Sequence, residues 1–402
     1  MDDHGQLIVG IDAAGINSGG GLSHLVNLLA AAEPWKAGVG EVVLWCCAST
    51  GAAVPRRPFL RTVCPSALDG GIAKRMAWQR WSLPREARRA RCDVMFVPGG
   101  TSVCGFHPIV GMSQNMLPFQ REESRRFGLS AMRLKMELLR ISQGSLAKRA
   151  DGYIYLTEFA QERIRRELRR VAPSTLIPHG IAERFRHPPR SGVRIETCSS
   201  DRPFRLLYVS MVDAYKHHPE VAEAIAMLGR KGLPIRMEFI GPHREPYLRR
   251  LLRTMDSVDP DRRWISYVGP VPNSELHERY AQADLVVFAS SCENLPIIML
   301  EAMASGRPVA SSGVGPMPEV LGEEGHYFDP ESPRSIADCV QRLVQDVDAR
   351  EKAARLSQIR SETFTWERSA DLTFAYLARI AHASDRRGHA TPLSCTHHFV
   401  EC

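Results

Sequence analysis

The 402-residue sequence predicts an α/β protein made of two doubly wound parallel sheets. Three observations lead there. Short apolar runs alternate regularly with helix-period stretches, as a succession of βαβ units requires. The alternation stops at residues 186–203, RHPPRSGVRIETCSSDRP, a Pro-, Ser- and Arg-rich linker, and then resumes. The length also exceeds one typical core and suits two domains of roughly 150–200 residues. The domains are therefore set at 1–190 and 191–383, with 384–402 a flexible tail. Two such sheets leave a central cleft walled by strand C-terminal ends, where α/β proteins bind ligands.

The elements follow in order. QLIVGIDAAGI (6–16) is a strand, NSGGG a glycine loop and LSHLVNLLAAAE a helix. EVVLWCCA, CDVMFVPG and HPIVGMSQN are further buried strands. Two basic helical stretches, 122–149 and 158–170, flank the strand ADGYIYLT (150–157), and STLIPHGI (174–181) follows as another strand. In the second unit the strands FRLLYVSM, IRMEFIGP, WISYVGPV, DLVVFAS and RPVASSG alternate with five helices. Those helices are HHPEVAEAIAMLGRKG, EPYLRRLLRTM, NSELHERYAQA, PIIMLEAMAS and PRSIADCVQRLVQD.

Composition excludes several classes. With 44% hydrophobic and 24% charged residues, the chain has a soluble globular balance. No apolar run approaches the ~20 residues of a membrane span. MDDHGQLIVG opens acidic and lacks the basic n-region of a signal peptide, so a cytoplasmic protein is expected. The ten cysteines contain no CxxC pair and read as reduced, mostly buried thiols. Cys395, His397, His398 and Cys402 gather in the tail at a spacing that argues against structural zinc. Asp346 and Asp348 fall on a helix where i and i+2 face apart, and read as surface residues.

The net charge of +7 is unevenly divided. Residues 1–190 hold 27 Lys+Arg against 16 Asp+Glu, a surplus of 11, which leaves the remainder at −4. A basic N-terminal half suits anionic substrates, an anionic membrane surface or nucleic acid, and equally suits arginines on solvated helix faces.

The stretch ENLPIIMLEAMASGRP, residues 293–308, carries the chemistry. Pro296 suits a first helical turn, where a missing N–H costs nothing. The helix is expected to end near Ser305, with Gly306 as its C′ residue. Its N-terminus then points into the cleft with free amides and the positive dipole end, ready for phosphate. Glu293 precedes that terminus and Glu301 lies two turns inside. Eight helical residues span ~12 Å, roughly the reach from one end of a sugar diphosphate to the ribose beyond. The apolar Leu295, Ile297, Ile298, Met299, Leu300 and Met303 leave the helix little solvent face on which to spend two glutamates.

On these residues the sequence resembles the family 4 retaining glycosyltransferases of GT-B fold, the glycosyl transferases of group 1. The E-x7-E spacing precedes a Gly-Arg-Pro-Val strand, a glycine turn, P-E-V-L and G-x-x-G-x-x-F-x-P. YVSMVDAYKHHPEVAEAIAML is similar to the family's strand, loop and lysine before a helix, and FTWERSADLTFAYL to its closing helix. GIDAAGINSGGGLSHLVNLL, ADGYIYLTEFAQERI and LIPHGIAERF resemble its N-terminal segments more weakly. The resemblance covers about residues 7–383, and a final helix at about 363–383 is expected to pack back on the N-terminal domain.

The resemblance implies an acceptor-binding N-terminal domain and a donor-binding C-terminal domain facing the cleft. Glu301 would bind ribose hydroxyls, Glu293 would contact donor-sugar hydroxyls beside the reacting carbon, and Lys216 would neutralise the diphosphate. Amides of Asn294 and Leu295 would meet phosphate or sugar. Gly19, Gly20 and Gly21 would let the backbone approach the diphosphate closely. Where the family pairs an arginine with the lysine, this chain has Ser210 and Met211, so Arg244 or an N-domain basic group is expected to substitute. Where the family often has a histidine, this chain has Gln114 or Asn115, and neither amide can act as a base. His24 is placed at the acceptor side, or as a helix-packing residue. No metal or other cofactor is implied.

The implied function is retaining transfer of a hexose from a UDP- or GDP-sugar to an acceptor hydroxyl. The basic N-terminal half favours an anionic or lipid-linked glycan acceptor, as in surface-polysaccharide or glycolipid assembly, with peripheral contact at the inner membrane face. A small-molecule acceptor and a same-fold sugar-nucleotide epimerase stay open. A dinucleotide oxidoreductase needs G-x-G-x-x-G after the first strand, which NSGGGLSHL does not supply. A glycoside hydrolase needs carboxyls ~5–9.5 Å apart across the scissile bond. A nucleic-acid binder would rest on the basic half alone.

Overall fold

The computed structural model describes residues 6–189 and 192–388. Cys395, His397, His398 and Cys402 lie outside the described residues. Two all-parallel sheets form the frame. The first holds seven strands in the order β3-β2-β1-β4-β5-β6-β7. They are β1 (Leu7–Asp12), β2 (Val39–Trp45), β3 (Leu60–Val63), β4 (Val94–Val97), β5 (Ile109–Met112), β6 (Gly152–Tyr155) and β7 (Ser174–Leu176). The second runs β10-β9-β8-β11-β12-β13. Its strands are β8 (Phe204–Val209), β9 (Ile235–Ile240), β10 (Ile265–Gly269), β11 (Leu285–Phe288), β12 (Val309–Ser312) and β13 (His326–Phe328).

Central strands such as VMFV, GYIY and LVVF are buried along their whole length. Helices cover both faces of a parallel sheet, so its strands read as unbroken apolar runs. Two of the four edge strands, β3 and β13, escape the sequence reading, being short and only partly buried. β1 ends on a buried polar knot. Asp12 accepts Gln79 Nε2 at 3.0 and 2.8 Å and Ser102 Oγ at 2.6 Å, while burial raises its carboxyl pKa. That knot fixes the strand end from which the glycine turn departs.

Several elements differ from expectation. Gly19–Gly21 are not a separate loop but the first turn of the helix Gly19–Ala31. The basic stretch 122–149 is broken: Gly128, at φ 59°, separates a 3-10 turn from the helix Ala131–Arg149, which Ser130 caps by accepting Arg133 N. The next helix, Glu158–Leu168, stops short of residue 170 because Arg169 takes a positive φ of 59°. Asp346 does not share a helix with Asp348. The helix Pro333–Gln345 ends before it, and Asp346 caps a helix absent from the sequence reading, Val347–Ser361, by accepting Ala349 N at 2.9 Å.

The linker is pinned rather than loose. His187 N donates to Ala304 O at 3.0 Å, and Gln358 Nε2 to His187 O at 2.6 Å. The buried Arg350 guanidinium donates to Leu343 O and Val344 O, at 2.6 Å each, and to Val193 O. It thereby satisfies the last carbonyls of one helix and holds the linker to it.

The last helix, Trp366–Gly388, is longer than expected and continues past the proposed boundary at 384. It returns to the N-terminal domain. Tyr376 Oη donates to Pro173 O at 2.8 Å and accepts Tyr153 N at 3.2 Å, and Lys36 pairs with Asp371.

Candidate active site

The C-terminal edges of the two sheets enclose a cavity of about 620 Å³. Gly19, Gly20, Gly21, Gln114, Asn115 and His179 line its N-domain wall. Ser210, Met211, Lys216, Glu293, Leu295–Ile298 and Glu301 line the opposite wall, and Trp366 of the last helix completes the rim. Most of the sequence-predicted residues thus converge on one space from loops far apart in the chain.

Lys216 is placed by a tightly bonded loop. After β8 the chain is anchored by Ser210 N to Ile240 O at 2.8 Å and Tyr208 Oη to Lys216 O at 2.8 Å. A Cβ on Gly241 would collide with Ser210 O, so that crossing requires glycine. His217, left-handed at φ 50°, then turns the chain into the helix His218–Arg230. Its Nε2 meets Ser291 Oγ at 2.9 Å, tying the Lys216 loop to the Glu293 loop. Burial lowers the His217 pKa to about 4, so the ring is neutral at physiological pH.

The structure joins two residues to which the resemblance gives separate partners. Lys216 Nζ donates to Glu293 Oε1 in an ion pair whose side chains are only 8% and 16% exposed. The ammonium also lies 5.0 Å from the Tyr215 ring centroid and 5.7 Å from that of Phe288.

Downstream of this pair is the N-terminus of the helix Ile297–Ala304. Pro296 is its N-cap at φ −75°, ψ 101° rather than a first-turn residue, and Gly306 takes the expected left-handed conformation at φ 66°. Met299, Leu300 and Met303 are fully buried, each worth roughly 1.5–3 kcal/mol relative to exposure, so the helix is a rigid base for its glutamate. Glu301 is buried among them, and desolvation raises its carboxyl pKa to about 8, with the Arg184 charge opposing the rise. Arg184 also donates to Asn273 Oδ1, and both line the cavity. Neither was singled out from sequence, because each sits in a loop without periodicity.

The glycine turn is open by construction. A Cβ on Gly19 or Gly20 would meet nothing within 4 Å. Only the φ of 66° at Gly19 demands glycine for the chain's own sake, so Gly20 contributes empty space facing the cleft. Gln114 and Asn115 stand beside the turn on the same wall; a Cβ on Gly21 would meet Gln114 Oε1 at 3.6 Å, and Asn115 Oδ1 accepts Leu117 N at 3.1 Å.

Three expected site residues lie elsewhere. Asn294 does not line the cavity: its Nδ2 donates across the domains to Ser113 O and Oγ at 3.0 and 3.1 Å, and its carbonyl accepts Thr157 Oγ1 at 3.1 Å. It is a domain clip. Arg244 caps the helix Glu245–Val258, and its Nε is committed to Asp213 Oδ2 at 2.7 Å, off the cavity lining. The exposed Met211 remains in the arginine's place. His24 is fully buried behind His179, not on the cavity wall. Among the described residues no three His, Cys, Asp or Glu side chains gather in a way that could hold a metal ion.

Fold and site together define the GT-B class: two parallel α/β domains with a cation, two carboxyls and a helix N-terminus on the C-domain side of the cleft. Residues 203–346 match the family described as glycosyl transferases group 1. The chain is similar to O-antigen chain mannosyltransferase B of Escherichia coli, 36% identical over 104 residues, covering 26% of this chain and 27% of that protein. It is also similar to the D-inositol 3-phosphate glycosyltransferase of Paenarthrobacter aurescens, 34% identical over 111 residues, with 27% of each covered. The matched stretches thus span about a quarter of those relatives' length. The fold matches sucrose-phosphate synthase from Thermosynechococcus elongatus with a TM-score of 0.72 at 20% identity, over 94% of this chain and 100% of that one.

Proposed function

We propose that the protein is a retaining glycosyltransferase that moves a hexose from a UDP- or GDP-sugar to an acceptor hydroxyl. The observation that carries this reading is the convergence of Lys216, Glu293 and the Ile297–Ala304 N-terminus on one wall, with Glu301 two turns farther along. Breaking the sugar–phosphate bond builds negative charge on the diphosphate and positive charge on the ring. The Lys216 ammonium and the helix N-terminus meet the first, and the Glu293 carboxylate the second. Glu301 then receives the ribose hydroxyls.

Gln114 and Asn115 offer no base, so the departing phosphate oxygen takes the proton of the acceptor hydroxyl. The C1–O(phosphate) bond breaks as the C1–O(acceptor) bond forms on the same face, and the anomeric configuration is kept. Fixed protein charge suffices for the leaving group, so the reaction runs without a divalent metal.

A lipid-linked or anionic glycan is the acceptor we favour. On the helix Ala131–Arg149, Leu134, Leu138 and Ile141 form one stripe, 60–63% exposed, flanked by Arg133 and Lys135. Apolar side chains among cations suit an anionic bilayer surface. The kinship with an O-antigen chain mannosyltransferase agrees with it. The kinship with an inositol 3-phosphate glycosyltransferase supports a small-molecule acceptor as the second reading. Among the described residues no helix is long and apolar enough to cross a membrane, which fits contact from one side.

Thermal-shift measurements against UDP, GDP and their sugars test the donor, with stabilisation by one nucleotide diphosphate expected. Stabilisation by none, or a product of inverted anomeric configuration, overturns the reading.

A further inference from the structure

His24 and His179 have no part in the chemistry above, yet their rings are closely coupled beside the cavity. Their Nδ1 atoms are 2.9 Å apart and their ring centroids 4.6 Å. Trp366 lies against both, at centroid distances of 5.6 and 5.7 Å. The loop that carries His179 is packed against the start of the last helix. A Cβ on Gly180 would collide with the Trp366 backbone, and Ile181 N donates to Phe364 O at 3.2 Å.

A hydrogen bond between two Nδ1 atoms needs one proton between them, since two lone pairs repel and two N–H groups clash. The question is which ring holds it. His24 Nε2 is buried without a partner. An orphaned buried N–H is rarer and costlier than an orphaned acceptor, so His24 Nε2 carries the lone pair and His24 Nδ1 the proton. His24 Nδ1–H therefore donates to His179 Nδ1. A neutral His179 accepting at Nδ1 must carry its own proton on Nε2. Since Nδ1 is engaged, Nε2 is the ring atom left to meet a substrate in the cavity that His179 lines. Burial lowers the pKa of both rings, that of His24 to about 3, and keeps them uncharged near neutral pH.

We infer that His179 is a fixed hydrogen-bond donor to an oxygen of the bound substrate, and that His24 is the positioning residue that locks its tautomer. The inference rests on the cleft being the site of transfer. It adds that the one cavity histidine on the N-domain wall is a donor and not a base, as transfer assisted by the leaving group requires. The oxygen it meets belongs either to the nucleotide diphosphate or to the acceptor glycan.

Long-range nitrogen-15 spectra of the full chain, with histidines labelled and His179 assigned from a His179→Gln variant, read the tautomer without any substrate. Protonated Nε2 and pyridine-type Nδ1 on His179, unchanged from pH 6 to 9, are expected. The opposite tautomer, or titration near neutral pH, overturns the inference whatever the enzyme's activity. In transfer assays His179→Leu should lose about 10-fold or more in kcat/KM, while His179→Gln, whose amide can donate, recovers most of it. Weaker binding of the nucleotide diphosphate by His179→Leu places the oxygen on the donor; unchanged nucleotide binding with a raised acceptor KM places it on the acceptor. Equal loss in both variants, or none in His179→Leu, overturns the assignment. His24→Leu should let the second His179 tautomer appear in the spectra; an unchanged His179 signal removes the role of His24.

Discussion

Lys216 and Glu293 neutralise each other beside the N-terminus of the helix Ile297–Ala304, in an ion pair with little exposure to water. A diphosphate entering the cleft must compete with Glu293 for the ammonium. Glu293→Gln should therefore hold UDP or GDP as tightly as the parent or a few-fold more tightly, while turnover falls at least tenfold. Lys216→Met should bind the same nucleotide 10- to 100-fold more weakly, the range for a hydrogen bond to a charged group. Calorimetric titration alongside kcat separates the two effects, and parent-like behaviour in both variants contradicts the assignment.

The Glu301 carboxyl should make nucleotide affinity depend on pH. Its folded pKa of about 8 lies above the ordinary value of 4.5. The folded state thus keeps a proton that the unfolded chain releases between those limits, and stability without ligand falls as pH rises across that window. Ribose hydroxyls donating to the carboxylate favour its charged form, so nucleotide affinity should rise from pH 6 to about pH 8 and then level. Glu301→Gln should flatten both trends and weaken binding. Denaturant titrations at pH 5.5 and 8.5 and nucleotide titrations across the range check the two signs.

Glu319 joins the domains outside the cavity lining, its carboxylate accepting Glu158 N at 2.7 Å and Phe159 N at 2.9 Å. This caps one domain's helix with the other domain's side chain. Glu319→Ala should cost about 0.5–2 kcal/mol, as lost caps do, and should enlarge the radius of gyration in small-angle scattering. An unchanged profile would mean that the remaining clips suffice.

Leu134→Glu combined with Leu138→Glu should abolish sedimentation with vesicles rich in anionic lipid and leave nucleotide binding intact. Raising salt should weaken the parent's sedimentation, because screening removes the basic contribution. Retained sedimentation of the double variant would remove this helix from membrane contact.

How far the sequence reaches is visible in particular residues. DLVVFAS and PIIMLEAMAS announce a buried strand and helix because their apolar runs have no rival reading, and Gly306 marks the helix end correctly. Lys216, Glu293 and the glycine turn reach one cavity because each follows a strand end, where topology leaves little freedom, and Glu301 reaches it on the helix that follows β11. The backbone amide of Asn294 was expected at the ligand, and motif position said nothing of its side chain, which reaches across the domain gap to Ser113. Arg244 was lost to Asp213, a partner 31 residues away that no local pattern reveals. Arg184, Asn273, His179 and Trp366 gain their places only from tertiary packing. The helix Val347–Ser361 carries no strong apolar stripe to advertise it.

The return of the last helix makes the C-terminal domain an insertion, entered and left by two separate passages of chain. At Ile181 and Thr365 these passages pair side by side as a parallel bridge. A domain hung from one strand can twist freely; one hung from two paired strands swings mainly about the line they define. Any opening of the cleft should therefore follow a door-like arc about that line, which would return the two walls to one alignment at each closure.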